Sequence, residues 1–348
     1  MFVPVVDKEN RPLMPTTPSR AKKWIKSGKA TPFFKKGFFC VRLNIEPSNR
    51  NTQPIAVGID PGSEREGYTV KSKAHTYLNI QSGTVNWVKE NEKNSTQMRR
   101  GRRFRKTPCR QPRWNRNQGK TRLAPSTKAR WQLKLRVAAW LNSVFPLSVF
   151  VVEDVQASTR KQTKKNGARK WNSRFSPLQV GKAWFYYELQ RIAPVILKQG
   201  YETASMRKEL GLNKGKNKKK LEFKAHCVDS WVLANSFVGG HTQPDNTSII
   251  ELVPLQVYRR QLHRFQPKKA GERPRYGGTL SAGLKRGGIA RHSKYGLCYI
   301  GGWSEKPTRK EPLRKQISLH DLATGKRLTQ NANLCDTKFL AYNSWRIT

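Results

Sequence analysis

Apolar and polar positions along the chain switch between the period of a strand and that of a helix, and the order of the switches predicts an α/β protein. Near the start, "VPVVD" has the short apolar run of a strand. "TTPSRAKKWIKSG" then predicts a helix, with Thr17 as N-cap, Pro18 at the first position and Gly28 as the stop. "ATPFFKKGFFCVRL" reads as two short strands around Gly37, and the polar stretch "EPSNRNTQ" as a linker. Three strands are expected between 54 and 90: "PIAVGID", "GYTVKS" and "TVNWVKE". The first is apolar throughout, as a strand covered on both faces requires. "STQMRRGRRFRK" is helix-compatible with arginines on every side, and Pro108 and Pro112 are expected to end it. "STKARWQLKLRVAAWLNSVFP" is a better amphipathic helix, with Trp131, Leu135, Ala138, Leu141 and Phe145 on one stripe. "SVFVVEDV" is a further apolar strand, followed by the basic loop "TRKQTKKNGARKW". "PLQVGKAWFYYELQRIAPVILKQG" reads as one long helix bent near Pro194. Beyond the Lys-rich "NKGKNKKK", "FKAHCVDSWVLANSFVGG" predicts a helix stopped by Gly239 and Gly240. From about 241 the texture changes to short strands, the turn signal "ATGK" and the glycine-rich "YGGTLSAGLKRGG", which read as small β modules with basic loops.

Charge narrows the partners. The 348 residues hold 69 Lys and Arg against 22 Asp and Glu, a formal net charge of +47. Self-repulsion on that scale penalises compaction unless something neutralises it, so the chain is expected to be poorly soluble or partly disordered alone. Nucleic acid is the natural neutraliser, since phosphates pair readily with Arg and Lys. From Lys93 to Val152 there are sixteen Lys or Arg and no acid. A helix that is cationic all round cannot pack into an apolar core and is best placed between phosphates. There is no run of about 18 apolar residues and no signal-peptide pattern, so no membrane partner is expected and a cytoplasmic location is. The five cysteines form no CxxC pair, which argues against a cysteine zinc site and for reduced thiols.

Against this scarcity of acid, four residues draw the eye. Asp60 ends the apolar "IAVGID", Glu153 ends "VFVV", and Asp229 follows His226 by three residues in a predicted helix, which puts both on one face. The order of three strands, helix, strand, helix and final helix is the layout of a ribonuclease-H-type domain. In that layout adjacent strand ends bring Asp60 and Glu153 side by side, and the last helix delivers Asp229 and His226 opposite. Three carboxylates converging without Lys or Arg partners repel one another, and a hard divalent cation relieves this. Oxygen ligands suit Mg²⁺ or Mn²⁺, and two such ions could activate a water and stabilise the departing oxygen of a phosphodiester. Gly62 and Gly67 are expected to leave room for a nucleic-acid backbone. Each residue also has a plainer reading: Asp60 as a turn residue before Pro-Gly, Glu153 and Asp154 as strand-end acids, His226 as an ordinary helix histidine. Of the adjacent acids Glu153 is preferred, because alternation turns Asp154 to the other side.

The sequence at these residues resembles the RuvC-like nucleases of the RNA-guided, transposon-associated IscB group. "GIDPGSEREG", "FVVEDV" and "AHCVDS" resemble their three RuvC motifs, and "RPLMP" (Arg11 to Pro15) the motif that names their PLMP domain. "RRGRRFRK" with "PRWNRN" resembles the arginine-rich bridge helix that lies against guide RNA. Between Asp154 and Ala225 there is no histidine, so no HNH nuclease is inserted, and the pattern is similar to the HNH-less IsrB branch. The resemblance implies a PLMP domain at 1–50, RuvC part I at 54–92, a bridge helix at 93–122, RuvC parts II and III at 123–240, and β modules at 241–348 that bind a guide stem and read a target-adjacent motif. It implies a metal-dependent nickase that cuts the non-target strand of double-stranded DNA carrying a flanking motif, guided by a structured ωRNA, as a monomeric protein in a ribonucleoprotein. Asp60, Glu153 and Asp229 would hold the metals and His226 would act beside the scissile phosphate. Arg99, Arg100, Arg102, Arg103, Arg105, Lys106, Arg110, Arg113 and Arg116 would contact nucleic acid. Trp171, Trp303 and Trp345 are further candidates for base stacking. Two rival readings are a guide-independent, structure-selective nuclease of the junction-resolvase type and an RNA-packaging protein with a relic core.

Overall fold

The computed structural model describes residues 2–104, 123–154, 177–215, 217, 220–256, 265–266, 271–272, 280–306, 314–322, 324–342 and 344–347. The end of the arginine-rich segment with Pro108 and Pro112, the basic loop after Glu153 and Trp171 lie outside these residues. Two units are present, Met1–Pro254 with Ile347–Thr348, and Leu255–Arg346.

The first unit begins with a four-stranded sheet in the order β2-β1-β4-β3, made of β1 (Val3–Val6), β2 (Pro12–Thr16), β3 (Ala30–Lys35) and β4 (Phe38–Leu43). The β3–β4 hairpin turns through Lys36 and Gly37, both at positive φ. Helix α1 (Pro18–Lys26) starts as expected, with the Thr17 hydroxyl accepting from the Arg20 amide. It covers a core of Val3, Val5, Leu13, Val41 and Leu43 with Ala21 and parts of Trp24 and Ile25.

A second sheet follows, with β5 (Ile55–Asp60), β6 (Arg65–Ser72) and β7 (Thr76–Gly83) as an antiparallel meander. β8 (Val149–Asp154) lies parallel to β5, β9 (Val195–Gln199) parallel to β8, and β10 (Ile249–Pro254) parallel to β7. The order β10-β7-β6-β5-β8-β9, antiparallel on one side of β5 and parallel on the other, is the ribonuclease-H-type arrangement read from the sequence. The helices are α2 (Trp87–Phe104), α3 (Pro125–Asn142), α4 (Pro177–Gln190), α5 (Gly200–Glu209) and α6 (Val228–Val238), the last entered through a π-helical turn, Phe223–Cys227. Leu233 and Ala234 of α6 pack on Ala56, Val149 and Val151. Contact is close because Gly58 has no side chain: a Cβ there would stand 1.8 Å from the Ser230 carbonyl oxygen. On the opposite face Lys134 of α3 reaches Glu66 of β6 at 2.6 Å, both buried, and Trp131 stacks on Phe185 of α4.

Two element readings are corrected. The third strand is Thr76–Gly83, not "TVNWVKE", whose Trp87 opens α2. β7 hides from pattern reading because its buried side chains include polar ones with internal partners. Asn79 accepts from Thr69 and donates to the Asn246 and Ser248 carbonyls, and Gln81 donates to the Lys220 carbonyl. The long helix through Pro194 is instead α4 and strand β9, and helix α5 follows in a stretch to which the sequence pattern assigns no element. Proline stops the helix, its carbonyl accepts from the Phe150 amide, and the β-branched Val195 and Ile196 continue as a strand beside β8. Among the described residues no helix is long and apolar enough to cross a membrane.

The second unit is all β where it is described. Two short pairs, β11 (Phe265–Gln266) with β12 (Gly271–Glu272) and β13 (Leu280–Ser281) with β14 (Leu284–Lys285), precede a five-stranded antiparallel sheet. That sheet holds β15 (Ile289–His292), β16 (Gly296–Lys306), β17 (Arg314–Asp321), β18 (Arg327–Asn333) and β19 (Thr337–Ala341) around Ala290, Cys298, Ile300, Ile317 and Leu319.

Candidate active site

The register of the two central strands builds the site. Ala56 opposes Val149 and Ile59 opposes Val152, so Asp60 at the end of β5 comes level with Glu153 in β8. Gly58 and Asp60, like Val151 and Glu153, alternate onto the α6 face. The Asp60 and Glu153 carboxyls are hydrogen-bonded to each other and nearly buried. Asp154 turns away and is held by the Lys182 ammonium, the Tyr186 hydroxyl at 2.9 Å and the Gln199 amide at 3.4 Å. Glu153, not Asp154, is therefore the partner of Asp60.

The π-helical turn supplies the third side. His226 stands with Nδ1 3.2 Å from Asp60 Oδ2. One extra residue in that turn offsets the histidine from the helix that follows, a device common at functional sites. Gly67 makes room for it: a Cβ there would sit 2.5 Å from the His226 carbonyl oxygen, and one on Gly62 would sit 1.7 Å from that of Arg65. The space at both glycines is thus filled by the protein's own backbone, which corrects the expectation that nucleic acid approaches there.

Asp229, in the first turn of α6, is buried and held by Arg207 of α5 and by Lys214. Lys214 Nζ also lies 3.7 Å from Asp60 Oδ2, so one ammonium links two of the carboxylates. The sequence reading expected carboxylates without Lys or Arg partners, and the structure corrects it. After α5 the chain turns at Gly211, where φ is +66°, and Gly215 donates its amide to the Lys224 carbonyl, which returns Lys214 over the rim. Neither cation was singled out beforehand. Lys214 lies in the Lys-rich run "NKGKNKKK" among similar residues, and Arg207 in a stretch to which the pattern assigns no element, so the sequence held no signal for either.

The electrostatics divide the carboxyls. Burial pushes Asp60 up, but the His226 hydrogen bond and the Lys214 charge outweigh it and hold the group below the usual range. Glu153 is pushed up to about 8, by burial first and by the adjacent Asp60 second. At neutral pH Asp60 is ionised and Glu153 keeps the proton it shares with it. Burial also presses on the Lys214 ammonium, but Asp60 and Asp229 raise it well into the charged form. As they stand, no group of three or more His, Cys, Asp or Glu among the described residues is arranged to hold a metal ion.

The arginine-rich segment is helical up to Phe104. Arg99, Arg100 and Arg103 are exposed, and none of the described side chains of α2 is buried. Arg99 bonds Thr96, four residues on from Glu92, whose carbonyl Thr96 takes. The side chain of Arg102, and all of Arg105, Lys106, Arg110, Arg113 and Arg116, fall outside the described residues.

No curated protein matches the sequence. Among solved structures the chain is similar to Thermus thermophilus RuvC in complex with a Holliday junction substrate, at 13% identity and a TM-score of 0.26 over 54% of this chain and 98% of that one. A second Thermus thermophilus RuvC structure gives 12% identity and a TM-score of 0.25 over 52% and 90%. The yeast mitochondrial Holliday junction resolvase gives 17% identity and a TM-score of 0.25 over 55% and 80%. The sequence Arg99-Arg100-Gly101-Arg102-Arg103 in α2 spells a pattern of paired arginines about one free position, and the stretch that contains it, residues 3–174, matches the family model described as RRXRR protein.

Proposed function

We propose that this protein is an RNA-guided DNA nickase of the IsrB type, with one RuvC-like site that cuts the non-target strand. The observation that carries the reading is the meeting of Asp60, Glu153, His226 and Asp229 on one rim of the sheet, in a chain where acid is scarce. The donor set is anionic, nearly buried and almost all oxygen, which suits a hard divalent ion. The positive charge such a set calls for is met here by Lys214. Asp60, Glu153 and Asp229 would hold Mg²⁺ or Mn²⁺, two ions in all, once Lys214 gives way. Bound there, the ions would activate water and stabilise the departing oxygen. His226 fixes the orientation of the Asp60 carboxylate and is near enough to the rim to serve the scissile phosphate. Glu153, protonated beside ionised Asp60, would give up its proton to solvent on binding such a cation.

The exposed arginines of α2 take guide RNA phosphates, and base pairing between guide and target supplies sequence choice. The second unit binds a guide stem and reads the flanking motif. The test is cleavage of supercoiled plasmid carrying a randomised flank beside a guide-matched site, with Mg²⁺, with and without the co-purified RNA, and with Asp60→Ala. Open-circle product that needs the matched RNA and vanishes in the variant is the expected result. Nicking that ignores the guide would make the protein a structure-selective nuclease instead. Tight RNA binding with no nicking would make it a packaging protein.

A further inference from the structure

The N-terminal sheet and its helix carry a feature that neither the carboxylate rim nor α2 uses. Thr17, Arg20, Lys23, Trp24 and Ser27 fall on one side of α1 and, with Lys29, line a groove of about 770 Å³. Trp24 is half-buried, packed against the core beneath and open to the groove. The Arg20 guanidinium lies over its ring, 5.0 Å from the centroid. The groove thus presents a planar cation stacked on an indole, flanked by two exposed ammonium groups.

The charge around it is one-sided. From Arg11 to Ile45 there are nine Lys or Arg and no Asp or Glu. The acids nearest in sequence are engaged: Glu9 by Arg11, Asp7 by Arg11 and Arg50, Glu46 by Lys8 and Arg50. Among the described residues Arg20, Lys23 and Lys29 make no ion pair with any of them. Lys23 has a local reason to be there, in the last turn of α1 where cations favour the helix dipole. Arg20 and Lys29 do not, since one is in the first turn and the other follows the helix.

We propose that this groove binds an unpaired stretch of nucleic acid, with one base stacked on the Arg20–Trp24 pair and neighbouring phosphates on Lys23 and Lys29. A guanidinium plane and an aromatic ring are the surfaces on which unstacked bases settle, and a duplex keeps those faces hidden. An anionic membrane would use the cations but needs exposed apolar surface, and the apolar side of α1 is turned into the core. The inference stands apart from the nuclease reading, because a protein that cuts nothing would carry the same groove.

The test uses the full chain, stripped of RNA by high salt, and short single-stranded oligonucleotides of RNA and of DNA carrying photoreactive thio-pyrimidines. Crosslinks mapped by mass spectrometry are expected on the α1 segment, centred on Trp24. Arg20→Ala and Lys23→Ala, both on exposed residues and so neutral to folding, should each weaken oligonucleotide binding by about tenfold and lower the salt slope by about 0.7. Trp24→Phe should keep the core filled and retain part of the crosslink. A preference for the RNA strand would identify guide RNA as the source, and equal binding would point to the displaced DNA strand as well. Crosslinks confined to other surfaces, with both alanine variants within twofold of the parent, would overturn the proposal. So would binding restricted to duplex.

Discussion

If the carboxylates hold a divalent ion as proposed, Lys214 must compete with it, and the competition can be measured. Its ammonium bonds Asp229 and lies 3.7 Å from Asp60, with a side chain about a quarter exposed. A cation entering between these carboxylates must first break a charge-assisted hydrogen bond worth about 1.5–3 kcal/mol. Each ~1.4 kcal/mol is a factor of ten in affinity. Lys214→Met should therefore tighten apparent Mg²⁺ binding by roughly 10- to 100-fold. The same variant should be less stable without metal, because Asp60 and Asp229 lose a shared countercharge. Breaking a buried pair costs about 3–5 kcal/mol, and Arg207 remains on Asp229, which favours the lower end. The two effects have opposite signs in one protein. Urea unfolding across a Mg²⁺ titration resolves them, since an ion that binds only the folded state stabilises it in proportion to the logarithm of its excess. Lys220→Met, on an exposed lysine paired with Glu222, is the control. A Mg²⁺ midpoint within twofold of the parent would refute the competition, whatever happened to metal-free stability.

Three further outcomes follow from packing and burial. Gly58→Ala should destabilise the first unit by about 3 kcal/mol or more in urea, because the new Cβ meets α6 backbone at 1.8 Å and backbone has little room to yield; a loss under ~1 kcal/mol would show that α6 can shift. Lys134→Met leaves buried Glu66 with the Tyr68 hydroxyl as its one side-chain partner among the described residues and should cost about 3–5 kcal/mol, while Glu66→Gln with Lys134→Met should recover most of it; strictly additive losses would disprove the coupling. Burial pushes the Lys71 ammonium down to about 8 from 10.5. Below pH 8 both folded and unfolded chains carry the charge and its full burial cost is present; that cost fades as pH rises from 8 to 10.5, where the unfolded lysine alone stays protonated. Relative to Lys71→Met, stability should thus climb by about 3 kcal/mol across that window, and parallel urea profiles for the two proteins would contradict it.

What could be read in advance depended on whether a residue's partner was near in sequence or in pattern. Asp60 stood out because an acid ending an apolar run has no local reason to be there, and Glu153 could be separated from Asp154 because a strand has a fixed period. The caps of α1 and the stop at Gly239 and Gly240 were local too. β7 was missed since the amides of Asn79 and Gln81 donate to carbonyls more than a hundred residues away, which no local pattern contains. β9 was merged with α4 because an apolar run after proline fits helix and strand alike, and only the edge of β8 decides. Lys214 illustrates the limit most sharply: it looks like the other lysines of its run, and its role exists only where Asp60 and Asp229 converge.

The order of the strands also has a consequence for the chain as it is made. Asp60 appears early, but Glu153 must pair beside it across an intervening span that includes α2 and α3, and His226 and Asp229 arrive only with α6. A nascent chain therefore displays its paired arginines to solvent well before the rim of carboxylates exists. On the function proposed above, that interval would let the chain gather RNA before it had any means of cutting DNA, so the order of synthesis itself would favour loading the polyanion before the blade is assembled.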